Sequence, residues 1–329
     1  MEKKIVVITG ASAGIGRATA KEFARHGWRV ALLARSPEGL EGARKDVEDA
    51  GAAALIIPAD VADHDQVEAA AERVEREWGP IEVWVNNAMA TVFCSIEHID
   101  PRDFKRSTEV TYLGSVWGTL AALKRMKPRN RGTIVQIGSA LAYRSIPLQS
   151  AYCGAKSAVR GFIDTLRSEL IHDKSKVRIT MVQLSAFNTP QFDWARNCMG
   201  WRPQPLGKIF QPEVAARGIY WAALHPRREI WVGFPAVEAI LGTRILPGFL
   251  DRKLAFEAYG GQMTDQKDPP ERPDNLYSPA PGDRGAHGRF DHRATTSSWE
   301  LWWTTHRWTV AGVTLILLII LGILLFVRR

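Results

Sequence analysis

The sequence is poor in cysteine, with only Cys94, Cys153 and Cys198 among 329 residues. Their positions show no paired spacing, so we expect free thiols in a reducing compartment and no disulfide framework. We also expect no secretory signal, because the first apolar run, residues 5–8, is short and leads directly into a glycine-rich turn. Together these absences exclude the class of small, disulfide-rich secreted proteins.

Two further absences narrow the class. The net charge is +8, yet no basic segment is interleaved with aromatic residues, so we expect no nucleic-acid partner. His287, Asp291 and His292 have a spacing that matches no metal site, and we expect no metal. The chain has no internal repeats, and its 46% hydrophobic content is typical of a globular protein with a core.

The most apolar part of the chain is its C-terminal end. Residues 310–327 carry no charge and are mostly Leu and Ile, and at 1.5 Å per residue they nearly span a ~30 Å hydrocarbon core. Tryptophans precede this run in residues 299–309, and Arg328 and Arg329 follow it. We expect a single-pass C-terminal tail anchor with the large domain on the cytoplasmic side. A buried core helix is the alternative.

Strand and helix patterns alternate along the rest of the chain. Apolar strands separated by helices predict the α/β class, with a doubly wound parallel sheet of the Rossmann type in a single domain. The expected organisation is a domain at residues 1–261, a proline- and charge-rich linker at 262–298, an interfacial aromatic segment at 299–309, a transmembrane helix at 310–327 and a basic tail at 328–329.

The first predicted strand leads into a glycine-rich turn, TGASAGIG at residues 9–16, and then into a helix. This arrangement is typical of dinucleotide sites, because the helix N-terminus and the close-approaching backbone bind a pyrophosphate. An NAD site usually carries an acid at the end of the second strand, where this chain has Arg35. Arg35, together with Arg17, is suited to a 2′-phosphate, which favours NADP(H) over NAD(H).

A second motif lies further along the chain. Ser139 follows a predicted strand, and Tyr152 and Lys156 are four residues apart on a predicted helix, so they share one face. A cation beside a phenol lowers the phenol pKa, which would make Tyr152 useful as an acid–base group at neutral pH. The alternative is a packed tyrosine beside a solvated lysine.

These motifs resemble the short-chain dehydrogenase/reductase family, in the subfamily with TGxxxGIG and YxxxK motifs, over about residues 3–259. The resemblance implies that Ser139 polarises a carbonyl and that Tyr152 donates a proton as hydride leaves the nicotinamide. It also implies a set of cofactor-binding residues: Gly10, Ser12, Gly14, Ile15, Gly16, Arg17, Arg35, Asp60, Val61, Asn87, Ala88, Tyr152, Lys156 and Thr189.

Three positions depart from the family pattern. Met89 replaces the glycine of Asn-Asn-Ala-Gly, and Ser185 and Ala186 replace Pro-Gly. Thr111 occupies the place of an asparagine that anchors a water in the family's proton relay. Thr111 is therefore a catalytic candidate only as a substitute for that residue, since a hydroxyl lacks the reach and the paired donors of an amide.

The sequence therefore predicts a membrane-anchored, NADP(H)-dependent oxidoreductase that transfers a hydride between the nicotinamide and a carbonyl or alcohol. The anchor favours a lipophilic substrate, and the resemblance implies a homo-oligomer. The first alternative is a catalytically impaired NADP(H)-binding scaffold or redox sensor at the membrane. A second, a sugar-nucleotide epimerase, is disfavoured because this glycine turn is longer and a large C-terminal substrate domain is missing.

Overall fold

The computed structural model describes residues 3–307, 309 and 312. Its main sheet is parallel, with the strand order β7-β6-β5-β4-β1-β2-β3. The strands are β1 Ile5–Thr9, β2 Arg29–Ala34, β3 Ala54–Pro58, β4 Val83–Asn86, β5 Thr133–Ile137, β6 Arg178–Leu184 and β7 Glu229–Val232. From β1 the chain builds the sheet outward first in one direction, through β2 and β3, and then in the other, starting with β4. This switch in direction places a crevice at the carboxyl ends of β1 and β4.

Both faces of this sheet are buried, as β1 illustrates. Successive side chains on a strand point to opposite faces. Val6 and Ile8 pack in one apolar layer, whereas Ile5 and Val7 pack in the other, and all four are buried. A strand buried on both faces needs an apolar residue at every position, which explains the continuous apolar runs in the sequence.

Helices cover the two faces of the sheet. The helices of the described residues are α1 Gly14–Arg25, α2 Pro37–Asp49, α3 His64–Trp78, α4 Pro101–Thr108, α5 Gly114–Arg129, α6 Ser150–His172, α7 Gln191–Trp194, α8 Pro212–Leu224, α9 Phe234–Ile245, α10 Pro247–Gly261 and α11 Trp299–Thr305. A single π-helical turn, Glu109–Leu113, joins α4 to α5 where the sequence pattern suggests one continuous helix. The fold agrees with the predicted α/β class.

Residues 262–298, expected to be a linker, lie against the domain. Met263–Lys267 pairs antiparallel with Trp201–Pro203, and Ala294–Thr295 pairs parallel with Ile209–Phe210. Leu276 is fully buried in the core. The prolines and charges that suggested a linker instead suit an irregular segment whose backbone is bonded to the domain.

The expected transmembrane helix, residues 310–327, lies outside the described residues except for Gly312. Within the part of the chain that the structure describes, no helix has both the length and the apolar character needed to cross a bilayer.

The expectation of unpaired cysteines is wrong for two of them. Cys94 and Cys198 are joined as a disulfide, with their Cα atoms 5.3 Å apart, and Cys153 is buried and free. Val92–Phe93 pairs with Arg196–Asn197, which brings the two cysteines together. The sequence could not show this pairing, because 104 residues separate the two positions.

Candidate active site

A first cavity, here called the glycine-turn cavity, lies at the carboxyl ends of β1, β2 and β4. It is lined by Gly10, Ser12, Gly14, Ile15, Arg35, Asp60, Val61, Asn87, Ala88 and Thr189 from the predicted set. Gly10 and Gly14 adopt positive φ angles of 65° and 57°, which glycine reaches without strain. The fold therefore brings residues from across the first 189 positions to one crevice.

Gly16 does not line this cavity, but its lack of a side chain builds the turn. A Cβ atom at Gly16 would overlap the carbonyl oxygen of Gly10, and a Cβ atom at Gly10 would lie 2.8 Å from Cα of Ala88. The glycines thus let the turn, the first helix and the end of β4 approach one another closely.

Replacing Gly16 with alanine is expected to destabilise the protein by about 1–3 kcal/mol, because the new methyl group collides with backbone that cannot rotate away. Gly154→Ala is the matched control, since nothing lies within 4 Å of a Cβ atom at that helical position. The control is expected to stabilise by about 0.5–1 kcal/mol. Thermal unfolding of both variants checks this, and an unchanged melting temperature for Gly16→Ala would contradict the close approach.

The two arginines predicted for a 2′-phosphate differ in position. The Arg35 guanidinium lines the cavity and donates hydrogen bonds to the carbonyl oxygens of Asn275, Leu276 and Tyr277. Burial lowers the Arg35 pKa. Arg17 is buried outside the cavity wall, where its Nε donates to Asp46 at 2.8 Å and another guanidinium nitrogen donates to Asp283. Of the two, Arg35 is therefore placed to meet a ligand.

The polar residues at the end of β4 serve the backbone of the turn. Asn87 Nδ2 donates to the carbonyl oxygens of Thr9 at 2.9 Å and Gly10 at 3.2 Å. The Thr9 hydroxyl in return accepts from the backbone N–H groups of Asn87 and Ala88. Asp60 accepts from the Arg106 guanidinium. These bonds fix the shape of the cavity floor.

A second cavity, here called the tyrosine cavity, adjoins the first and has a volume of about 340 Å³, a size typical of small-molecule sites. Ser139 and Tyr152 line it. Lys156 lies behind them, 2% exposed, with its Nζ donating to the carbonyl oxygen of Ile137 at 2.7 Å and 5.6 Å from the centre of the Tyr152 ring. The structure thus brings the three predicted residues together.

The ionisation of this group differs from the sequence prediction. Burial raises the pKa of Tyr152, and a hydrogen bond with the Ser139 side chain lowers it by less, so the net direction is upward. Burial also lowers the pKa of Lys156, to about 8. The prediction that the phenol pKa falls is wrong for this geometry, because loss of solvent disfavours the phenolate more than Ser139 stabilises it.

Thr111 lines neither cavity. It is fully buried in the π-helical turn, where its Oγ1 donates to the carbonyl oxygen of Ala90 at 3.0 Å and accepts from the Ala90 N–H at 3.0 Å. Thr111 therefore fixes the backbone after Met89. No sequence pattern predicts this role, because the π-turn depends on tertiary contacts.

Several residues of the site belong to no functional motif of the sequence. Met89 and Gln191 line both cavities and so lie where the cavities meet. Met89 was noted only as a departure from a family motif. The tyrosine cavity also receives residues of α9 and α10, namely Pro235, Glu238, Ala239, Lys253, Leu254 and Glu257. Their sequence is helical and carries no motif, so only the fold shows their position.

Comparison with known proteins agrees with this geometry. A family model described as short chain dehydrogenase matches residues 4–197. The chain is 30% identical over 291 residues to the uncharacterized oxidoreductase YxnA of Bacillus subtilis, covering 87% of this chain and 82% of that protein. It is 31% identical over 262 residues to human estradiol 17-beta-dehydrogenase 11, covering 77% and 84% respectively.

Among solved structures, an alcohol dehydrogenase from the archaeon Thermococcus sibiricus, complexed with 5-hydroxy-NADP, superposes with a TM-score of 0.61. The two chains are 27% identical, and the match covers 70% of this chain and 96% of the archaeal one. The chain described here belongs to the short-chain dehydrogenase family.

Proposed function

We propose that this protein is an NADP(H)-dependent oxidoreductase that interconverts a carbonyl and an alcohol on a lipophilic, membrane-borne substrate. The observation that carries the proposal is the junction of the two cavities at Met89 and Gln191, with Ser139 and Tyr152 in the wall of the second. Action on CH–OH or C=O groups follows from the family and from relatives named as oxidoreductases. The membrane location and the lipophilic substrate are inferred from the apolar run at residues 310–327.

The residues of the glycine-turn cavity suit NADP(H). The N-terminus of α1 has no side-chain cap, and its first N–H, of Gly14, donates to the carbonyl oxygen of Gly285 at 3.0 Å. The amides that follow and the helix dipole favour a pyrophosphate. Arg35 provides a cation at the end of β2, where an NAD site would place an acid. A phosphate is a stronger acceptor for its guanidinium than the three backbone carbonyls that now hold it. The solved relative with a bound NADP derivative supports the same cofactor.

The Ser139, Tyr152 and Lys156 side chains are suited to a proton transfer at a substrate oxygen. The nicotinamide, when bound, supplies or accepts the hydride. The Ser139 hydroxyl accepts from the N–H of Leu141 at 3.1 Å and has its own hydrogen to donate to a substrate oxygen. Tyr152 holds its proton because its pKa is raised, which suits proton donation during reduction. A protonated Lys156 would stabilise the phenolate that remains.

The pH dependence of reduction is expected to reflect Lys156. At saturating NADPH, kcat/KM for the carbonyl is expected to be level at neutral pH and to fall as the pH rises through about 8, because Lys156 then loses its charge. Any residual activity of Lys156→Arg is expected to lack this decline, since a guanidinium stays protonated. A wild-type profile that is level up to pH 10 would contradict the assignment.

A screen for the substrate tests the proposal as a whole. The full chain would be mixed with NADPH or NADP⁺ and a lipid-inclusive set of carbonyls and alcohols, and the nicotinamide absorbance would be followed. We expect turnover with at least one lipophilic compound. NADPH binding without turnover of any compound would favour the scaffold alternative instead.

A further inference from the structure

Two helices beside the tyrosine cavity expose an apolar surface. α9 and α10 form a helical hairpin, and large apolar side chains near the connection between the two helices are exposed to solvent. We call Leu241, Ile245, Leu246, Phe249 and Phe256 the hairpin tip. All five are exposed, with Ile245 at 72% and Phe256 at 86%. A cluster of exposed apolar side chains of this kind is typical of an interaction site.

The exposed surface continues from the tip toward α11. On α9, Phe234, Leu241 and Ile245 are spaced by seven and four residues, so they share one face. The ring of Phe234 lies 5.4 Å from the ring of Trp299 on α11, which is itself exposed. Exposed apolar side chains therefore follow one face of α9 from α11 to the hairpin tip, and Glu238 is the charged residue on that face.

The charges at the joint of the two helices favour an anionic partner, and the acid next to Phe256, Glu257, is paired with Lys253. Arg244 and Arg252 are exposed and flank the joint of the two helices. The acid between them in sequence, Asp251, is ion-paired with Arg144. This combination suits the surface of an anionic bilayer, because the apolar side chains can contact the acyl chains while the arginines contact the anionic headgroups.

The chain that follows α11 indicates the same partner. Residues 308–329 come directly after the described part of α11 and its connection, and they contain the uncharged run 310–327. A run of that length and composition is suited to a bilayer. Trp299 of α11 touches Phe234 at the start of α9, so α11, which precedes the apolar run in the sequence, lies on the side of the domain that carries the exposed face of α9.

We propose that the hairpin tip inserts into the surface of an anionic lipid bilayer, as a second membrane contact beside residues 310–327. The same two helices also line the tyrosine cavity, through Glu238 and Ala239 of α9 and Leu254 of α10. The mouth of the cavity then lies at the lipid surface, and the substrate enters from the bilayer. This last step rests on the proposed function, whereas the lipid contact does not.

Two isoleucines with equal exposure provide a matched test. Ile245 of the tip is 72% exposed, and Ile171 at the end of α6 is 71% exposed. Full-length Ile245→Cys and Ile171→Cys would be labelled with an environment-sensitive fluorophore under non-reducing conditions, with the unmodified protein as the blank because Cys153 is buried. Both would be reconstituted into vesicles of phosphatidylcholine with one-third phosphatidylglycerol.

Two quenchers then report the surroundings of each label. At position 245 we expect strong quenching by nitroxide-labelled lipid and protection from aqueous iodide, and at position 171 the reverse. Equal behaviour at the two positions would overturn the proposal. Iodide protection at 245 without nitroxide quenching would also overturn it, since another part of the protein would then cover the tip. Protection that disappears on dilution to one chain per vesicle would assign the tip to a second copy.

Kinetics separate the lipid contact from the chemistry. Ile245→Glu with Phe249→Glu is expected to raise KM for a vesicle-borne substrate by about tenfold or more, because two buried apolar side chains are lost from the contact. KM for a short, water-soluble carbonyl is expected to stay within about twofold, and Ile171→Glu should change neither. An equal rise in both KM values would place the effect inside the site and contradict lipid entry. Absence of all turnover would contradict the proposed function. The quenching experiment would still test the lipid contact, because it does not depend on turnover.

Discussion

Tyr152→Phe is expected to lower kcat for carbonyl reduction by about 10³-fold, the range that a positioned general acid contributes. The substitution removes the hydroxyl that lines the tyrosine cavity beside Ser139 and leaves the ring in place. One hydrogen bond to the cofactor is lost at most, so NADPH affinity should fall by no more than about fivefold. Steady-state kinetics and a direct binding titration measure the two effects separately.

Tyr143→Phe is the matched control for this prediction. The Tyr143 hydroxyl donates to Glu229 at 2.7 Å and does not line either cavity, so its removal should leave kcat within about twofold. If Tyr152→Phe kept wild-type turnover, Tyr152 would not be the proton donor. If it kept the cellular function while losing turnover, the scaffold alternative would be supported instead.

Arg35→Ala is expected to weaken NADPH binding by about 10–100-fold while leaving NADH binding nearly unchanged. A charge-assisted bond to a phosphate contributes about 1.5–3 kcal/mol, and NADH lacks the 2′-phosphate that would use it. Arg35 lines the glycine-turn cavity, so it is the guanidinium that a 2′-phosphate would meet. Titration of both cofactors with each variant gives the preference ratio directly.

The NADH titration is an internal control, because Arg35 also holds the backbone of Asn275, Leu276 and Tyr277. Loosening of that segment would change both affinities alike. Arg44→Ala is the external control, since this exposed arginine of α2 is paired with Glu41 and Glu48 and lies outside the cavity. A parallel loss of NADPH and NADH affinity in Arg35→Ala would contradict a specific 2′-phosphate contact.

The parts of the structure that the sequence predicted are those set by local pattern. Thr133–Ile137 is an apolar run buried on both faces, so it reads as a strand of a parallel sheet without any tertiary information. Tyr152 and Lys156 share a helix face because of their spacing alone, and Gly10 and Gly16 mark a turn that only glycine allows. Such features follow from a few neighbouring residues.

The parts that the sequence missed depend on long-range contacts. The position of residues 262–298 is set by backbone bonds such as those from Arg35 to Asn275 and Leu276, which carry no side-chain signature in that segment. The Cys94–Cys198 disulfide depends on a strand pairing across 104 residues. Burial of Tyr152 raises its pKa, whereas spacing suggested only the neighbouring cation. Each outcome needs the fold before it can be derived.

The proposed chemistry is tested most directly by following the hydride itself. The full chain would be incubated with NADPH deuterated at the transferable position and with a carbonyl found in the screen, and the alcohol product would be analysed by mass spectrometry and NMR. We predict one deuterium on the carbon of the former carbonyl with the wild-type protein, and about 10³-fold less product with Tyr152→Phe. Product without deuterium, or no product from any carbonyl while NADPH binds normally, would contradict the assignment of this site to hydride transfer.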